Sequence, residues 1–421
     1  MSIAVISLVS LVLVILISCI TQRLNPGLLA LLAAVLISTA TGYMSVVNIT
    51  ALFPSNLFIL LVSMGLVFGT AHQNGTLEKL TQRAFRLIGG RRELLPFLIF
   101  FLAFVFSAVG PGNIIATAIL APMAMVLAKR QGMSQLLIAI MLCTGANAGA
   151  FSPVAPTGLI TIGLLEKMNI QQNLIWVVFG ASAVLQSLSA LLAYAIHLFR
   201  SRRRHANARE RSLEKIAVVV EPLSGQQKLT IGLIALLLIG VLVAKLPLIL
   251  MALCIALVMF ALKLSEEDVI LKTIPWSTIL MVSGIAILIG LMEKTGGLDL
   301  ATNFLASAAT PGTISGFLAF VSGLVSAYSS SSGVVLPAFL PLIPGLAEKM
   351  QIANLIPMVI AVAVGSHMVD VSPLSTLGAL TLASVDDQQV RRRMFKLLMI
   401  WGLSMSIVAG VLAFVFLDLM V

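Results

Sequence analysis

Charge is what this sequence has least of. Asp, Glu, Lys and Arg together supply 10% of its 421 residues, while 59% are hydrophobic. A water-soluble domain carries roughly 25% charged residues, so a conventional soluble fold is excluded. Cysteine is scarce as well. Cys19, Cys143 and Cys254 lie in apolar runs without ligand-like spacing, which argues against a disulfide framework or a thiolate metal site and for small packing residues. The four histidines, His72, His197, His205 and His367, are scattered, and no His-Glu-x-x-His pattern or pair of intramembrane aspartates occurs. No nucleophile–base set or metal-ligand set emerges from them, so an intramembrane enzyme is not expected, and neither is a cofactor. The opening Met1-Ser2-Ile3 has no charged segment and Arg23 follows the first apolar run, so a cleaved signal peptide is not expected.

What the chain does have is apolar length. Runs of about 18 residues or more recur, each long enough for a ~30 Å hydrocarbon core. Full spans are read at 3–20, 27–42, 54–71, 135–163, 173–198, 229–245, 247–263, 277–292, 353–380 and 396–420. The net charge of +10 collects in short segments between them, at Lys79 to Arg92, Lys129–Arg130, Arg200 to Lys215 and Arg391 to Lys396. That is the positive-inside pattern of a cytoplasmic inner membrane protein, not the basic face that nucleic-acid binding needs.

Two further apolar stretches, 94–128 and 313–346, are broken in the middle, by Gly110-Pro111-Gly112-Asn113 and by Ser329-Ser330-Ser331-Ser332-Gly333. Arg91 and Arg92 precede the first and Lys129 and Arg130 follow it. A single crossing would strand one basic pair outside, whereas a re-entrant hairpin returns both to the cytoplasm. The expected fold is an all-α polytopic membrane protein of about ten transmembrane helices plus two re-entrant hairpins in two inverted-topology repeats, with both termini outside. Residues 1–199 form the first repeat, with a cytoplasmic-opening hairpin at 94–128. Residues 200–228 form a cytoplasmic linker, and 229–421 the second repeat, with an outward-opening hairpin at 313–346.

The repeats are visible at an offset of about 220. Ser63 matches Ser283, Gly145 matches Gly365, Ser152-Pro153 matches Ser372-Pro373, and Gly158 matches Gly378. Five net crossings separate equivalent points, and an odd number inverts the second copy. Interrupted segments at corresponding places in two inverted halves point to a transporter's binding site. Amphipathic segments 75–90 and 296–309 occupy equivalent places and are expected to lie in the interface as arms beside each hairpin.

A broken backbone inside hydrocarbon must be satisfied by protein or line a polar cavity. Each tip presents the N-terminus of its second arm, whose free N–H groups and dipole favour an anion. Tip residues Gly112, Asn113 and Ile114 in the first half and Ser331, Ser332 and Gly333 in the second are therefore candidate substrate ligands. Two more polar breaks follow, with Asn147, Ser152, Pro153 and Thr157 in one and His367, Asp370, Ser372, Ser375 and Thr376 in the other. Proline in a span frees carbonyls that can help to hold a cation; Thr157 and Thr376 could equally bond back to their own helices. Asp370 is the acidic residue deep inside a span, where such a group marks function by default. It is expected to bind the coupling cation, Na⁺ or a proton, with Asn113, Asn147, Ser331 and His367 beside it; His367, at i−3, is its candidate partner. Because no Lys or Arg lies deep in a span, an anion must be held by dipoles, amides, hydroxyls and a bound cation.

The stretches Ser107 to Asn113, Ala121-Pro122-Met123-Ala124, Ala146 to Pro153, Ser331 to Pro341 and Gly365 to Pro373 resemble the ion transporter superfamily. They look closest to malonate/dicarboxylate-carrier-like permeases, relatives of the divalent anion:sodium symporters. In those symporters each tip carries a Ser-Asn-Thr signature that binds carboxylate and helps to build a sodium site. Here it falls on Gly112-Asn113-Ile114 and Ser331-Ser332-Gly333, where only Asn113 and Ser331 match. The resemblance implies a homodimer with a fixed scaffold and a transport domain that moves like an elevator. The expected function is cation-coupled secondary transport of a small di- or monocarboxylate such as malonate or succinate. A sodium/proton antiporter, an oxyanion exporter and a carboxylate exchanger are the alternatives.

Overall fold

In the computed structural model the described residues are 2–20, 24–87, 92–204 and 222–418. Arg23, Arg91, Arg209 and Arg211 lie outside them. The described chain is helical and contains no strand. Its first half comprises α1 (Ile3–Ile20), α2 (Pro26–Thr41), α3 (Val46–Thr50), α4 (Ser55–Gln73), α5 (Thr76–Leu87), α6 (Leu95–Val109), α7 (Gly112–Arg130), α8 (Gln135–Gly149), α9 (Pro156–Lys167) and α10 (Leu174–Arg204). The second half repeats that order: α11 (Gly225–Leu242), α12 (Leu248–Ala261), α13 (Glu267–Thr273), α14 (Trp276–Thr295), α15 (Gly297–Ala308) and α16 (Ile314–Ser326). A π-turn at Ser331–Val335 then leads through α17 (Leu336–Phe339) into α18 (Ile343–Met350), followed by α19 (Ile356–Met368), α20 (Thr376–Ala383) and α21 (Gln388–Phe416).

Among the described residues, eight helical stretches are long and apolar enough to cross a membrane, and six shorter apolar helices accompany them. The shorter ones include the first arm of each hairpin. α6 has 15 residues and α16 has 13, about 20–22 Å at ~1.5 Å per residue, short of a ~30 Å core. The stretches 135–163 and 353–380, read as spans with polar breaks, are each two helices separated by a turn. The amphipathic segments are α5 and α15.

Contacts between the halves are reciprocal. α2 packs on α14 as α12 does on α4, and α7 meets α20 as α17 meets α9; within the halves, α6 packs on α8 as α16 does on α19, and α8 on α10 as α19 does on α21. Such exchange is what a two-fold relation between copies produces. Small residues permit the closest approaches. Gly145 and Gly149, one turn apart on α8, lie against the carbonyls of Phe100 and Phe104 on α6. In the second half Gly365 keeps the first of these contacts, against Ala319. At the second, the small residue has changed sides: Val369, which caps the end of α19, replaces the glycine, and Gly323 on α16 makes room for it.

Candidate functional site

The two tips are built differently. In the first, Gly110 (φ 145°) and Gly112 (φ 79°) make the turn between α6 and α7. A Cβ on Gly110 would stand 2.1 Å from the Phe68 ring, and one on Gly112 2.7 Å from Pro156, so only glycine fits either the conformation or the space. In the second, the Ser330 hydroxyl accepts from the Gly333 amide at 3.1 Å. The amide of Val335 reaches back to the Ser330 carbonyl at 3.1 Å, the five-residue step of a π-turn, a local irregularity found mostly at functional sites. Gly333 faces Met281 of α14, whose sulfur would lie 2.2 Å from a Cβ there.

Polar side chains link the tips to the breaks. The Asn113 amide donates to Asn147 Oδ1 at 2.9 Å, and Asn147 Nδ2 donates to the His367 carbonyl at 3.0 Å. Asn147 and His367 are 220 residues apart, equivalent positions of the two halves that meet each other. Gln186 Nε2 donates to the same carbonyl at 2.9 Å. On the second side, Ser326 and Ser331 hydroxyls lie 2.6 Å apart, and Ser331 donates to the Ser366 carbonyl at 3.3 Å. Ser372 donates to the Ala327 carbonyl at 2.6 Å, tying the second break to the second tip. The Ser375 hydroxyl lies within 2.8 Å of the Asp370 carbonyl and 2.7 Å of the Ser372 carbonyl.

Asp370 is 3% exposed, and among the described residues only Asp418 is a second buried acid. Ser331 and Ser375 bring their hydroxyls beside the Asp370 side chain, yet its Oδ1 has no hydrogen-bond partner. His367 is not paired with it, against the expectation from their i, i+3 spacing. Its Nδ1 is taken by the Ala363 carbonyl at 2.9 Å, its ring meets Phe151 edge-on, and its Nε2 is left without a partner. The helix ends at Met368, so the regular turn that would align the pair does not exist. Asp418 has a different task, accepting from the Ser315 and Gly316 amides at the start of α16.

Next to Asp370 a polar cavity of about 320 Å³ opens between the second tip and the start of α14. Tyr328, Ser329, Ser330, Ser375 and Thr376 line one wall; Asn25, Ser277 and Met281 line the opposite one. The Ser329 hydroxyl is buried and unpartnered. Asn25 caps α2 through the Gly27 amide and also donates to the Ser277 carbonyl at 2.8 Å, which holds that wall together. Of the sequence candidates, Ser375 and Thr376 line this cavity, while Ser331, Ser372 and Asp370 are packed with Ser375. Ser332 and Gly333 are buried in the π-turn. Gly112, Ile114, Ser152, Pro153 and Thr157 do not line it. Asn25, Ser277, Met281 and Gln186 carried no sequence signal: the first two lie at helix starts, Met281 is one apolar residue among many in α14, and Gln186 is a lone amide in an apolar span.

Two helical hairpins and two broken helices that meet around a buried polar centre form the architecture of a membrane carrier. Residues 11–365 match the CitMHS family, described as citrate transporters, and the chain belongs to that family, within the ion transporter superfamily that its motifs resemble. It is a family of secondary transporters of the carboxylate or citrate type, not of enzymes. A comparison with curated proteins finds no match.

Proposed function

We propose that the chain carries a small carboxylate anion, with citrate as the first candidate and malonate and succinate as the next, and that a cation bound at Asp370 drives it. One observation carries this reading: a buried carboxylate with one unpartnered oxygen stands beside a cavity lined by hydroxyls and by the N-terminus of α20. Hydroxyls and free amides there would hold a substrate carboxylate. Among the described residues no Lys or Arg lines the cavity, so an ionised Asp370 opposes the anion. A proton or Na⁺ that neutralises Asp370 removes the opposition, and each ligand then raises the other's affinity by the same factor. The same reading includes an elevator movement of the hairpins against a fixed scaffold, a homodimer, and a location in the cytoplasmic membrane. Uptake of labelled citrate, malonate and succinate into proteoliposomes, with an inward Na⁺ gradient, an inward proton gradient or neither, tests it. Accumulation under one gradient is expected. Gradient-independent exchange, or Na⁺/H⁺ antiport without carboxylate uptake from inserted, folded protein, would refute it.

A further inference from the structure

The two helix breaks share a backbone and differ in chemistry. In the first, the amides of Ala150, Ser152 and Ala155 bond to the carbonyls of Asn147, Gly149 and Ser152. In the second, the amides of Asp370, Ser372 and Ser375 bond to the carbonyls of His367, Val369 and Ser372. Gly158 and Gly378 close the two turns alike, each with its Cβ direction blocked at 1.9 and 2.0 Å by the carbonyls of Ser152 and Ser372. Every residue of one break therefore has a known counterpart in the other. Asp370 corresponds to Ala150, Ser375 to Ala155 and Thr376 to Pro156. Where the second half has a carboxylate and two hydroxyls, the first has a methyl, a methyl and a proline ring.

The first tip does not restore what its break lacks. Pro156 packs against Gly112, and the Asn113 amide is spent on Asn147, which in turn holds the His367 carbonyl. The Ser107 and Thr117 hydroxyls there are buried and unpartnered, but among the described residues of the first half no buried carboxylate joins them to charge an ion site. The second side has a buried, unpartnered oxygen on Asp370 and another on Ser329.

We infer that the repeats have divided their roles: the second half holds the one coupling-ion site, and the first half's equivalent has become a structural brace, so each substrate moves with one cation. This rests on Asp370 being the coupling group. Asn113 and Asn147 are then positioning residues that fix the two breaks against each other.

The test is the number of cations per substrate, read from the accumulation of labelled citrate in proteoliposomes at clamped zero potential, counted as one ionic form. A tenfold gradient of the driving cation gives tenfold accumulation for one cation and hundredfold for two. Tenfold is expected for the wild type. In Asp370→Asn, accumulation should fall to the level seen without a gradient, while the variant keeps the monodisperse peak and the apparent melting of folded protein. Hundredfold accumulation would overturn the single-site inference and leave coupling at Asp370 standing if the variant still loses it. Unchanged accumulation in Asp370→Asn would instead remove the coupling assignment, and the inference with it.

Discussion

Substituting Gly145 by alanine should separate two helices that touch through their backbones. The added Cβ would stand 2.3 Å from the Phe100 carbonyl oxygen and 2.8 Å from its Cα. Ordinary contact needs about 3.5 Å, so α6 and α8 must part by roughly 1 Å. Neither atom belongs to a rotatable side chain, and no rotamer change relieves the clash. Overpacking typically costs about 1–3 kcal/mol, offset by ~0.5–1 kcal/mol for replacing a helical glycine. The net loss is then about 1–2 kcal/mol. Gly180→Ala is the control: nothing lies within 4 Å of its Cβ position, so only the gain of ~0.5–1 kcal/mol applies. Apparent melting in detergent, followed by the loss of the monodisperse peak after heating, should rank Gly145→Ala below wild type by a few degrees and Gly180→Ala level or above. If Gly145→Ala melts with Gly180→Ala, the close approach of α6 and α8 is wrong.

Three further outcomes follow from single groups. Asn147→Ala strands the buried Asn113 amide while Gln186 still serves the His367 carbonyl, so melting should fall by an amount equivalent to about 1–2 kcal/mol. Thr376→Val keeps shape but removes a cavity hydroxyl; the loss of a bond worth about 0.5–1.5 kcal/mol should raise KM for citrate roughly two- to twelvefold. Asp387 caps α21, and its carboxyl is held below the usual carboxylate range by the amides of Val390 and Gln389. A depressed folded pKa means that the cap is intact above the ordinary carboxylate pKa and is lost as pH falls through the folded value. Hydrogen exchange corrected for intrinsic rate should show the Gln389 and Val390 amides opening in acid, and at neutral pH in Asp387→Ala.

Much of the fold was legible because its signals are local. Apolar length, the two Gly/Ser breaks and the basic segments each mark a span or a turn by themselves, and the offset of 220 is visible in pairs such as Gly158 and Gly378. The compensated contact was not legible: Gly149 reappears as Gly323 on the partner helix, so only coordinates show that the contact survived. The polar centre divided along the same line. Asp370 announces itself because an acid in a span is costly. Its neighbour His367 misled, since i, i+3 spacing implies a shared face only while the helix continues, and it ends at Met368. Asn113 looked like a ligand because it is an amide at a tip, yet its partner is Asn147. The cavity wall at Asn25, Ser277 and Met281 comes from residues some 250 positions apart, and no motif joins them.

The most direct test of the central claim is substrate protection of that wall. With Cys19, Cys143 and Cys254 replaced by serine, a Ser277→Cys variant places one thiol at the cavity mouth, opposite Ser330 and Thr376. Its modification by a small maleimide should slow several-fold in citrate, and more so in the presence of the driving cation. If labelling is unaffected by citrate in protein that still takes citrate up, the substrate binds elsewhere and the site assigned here is wrong.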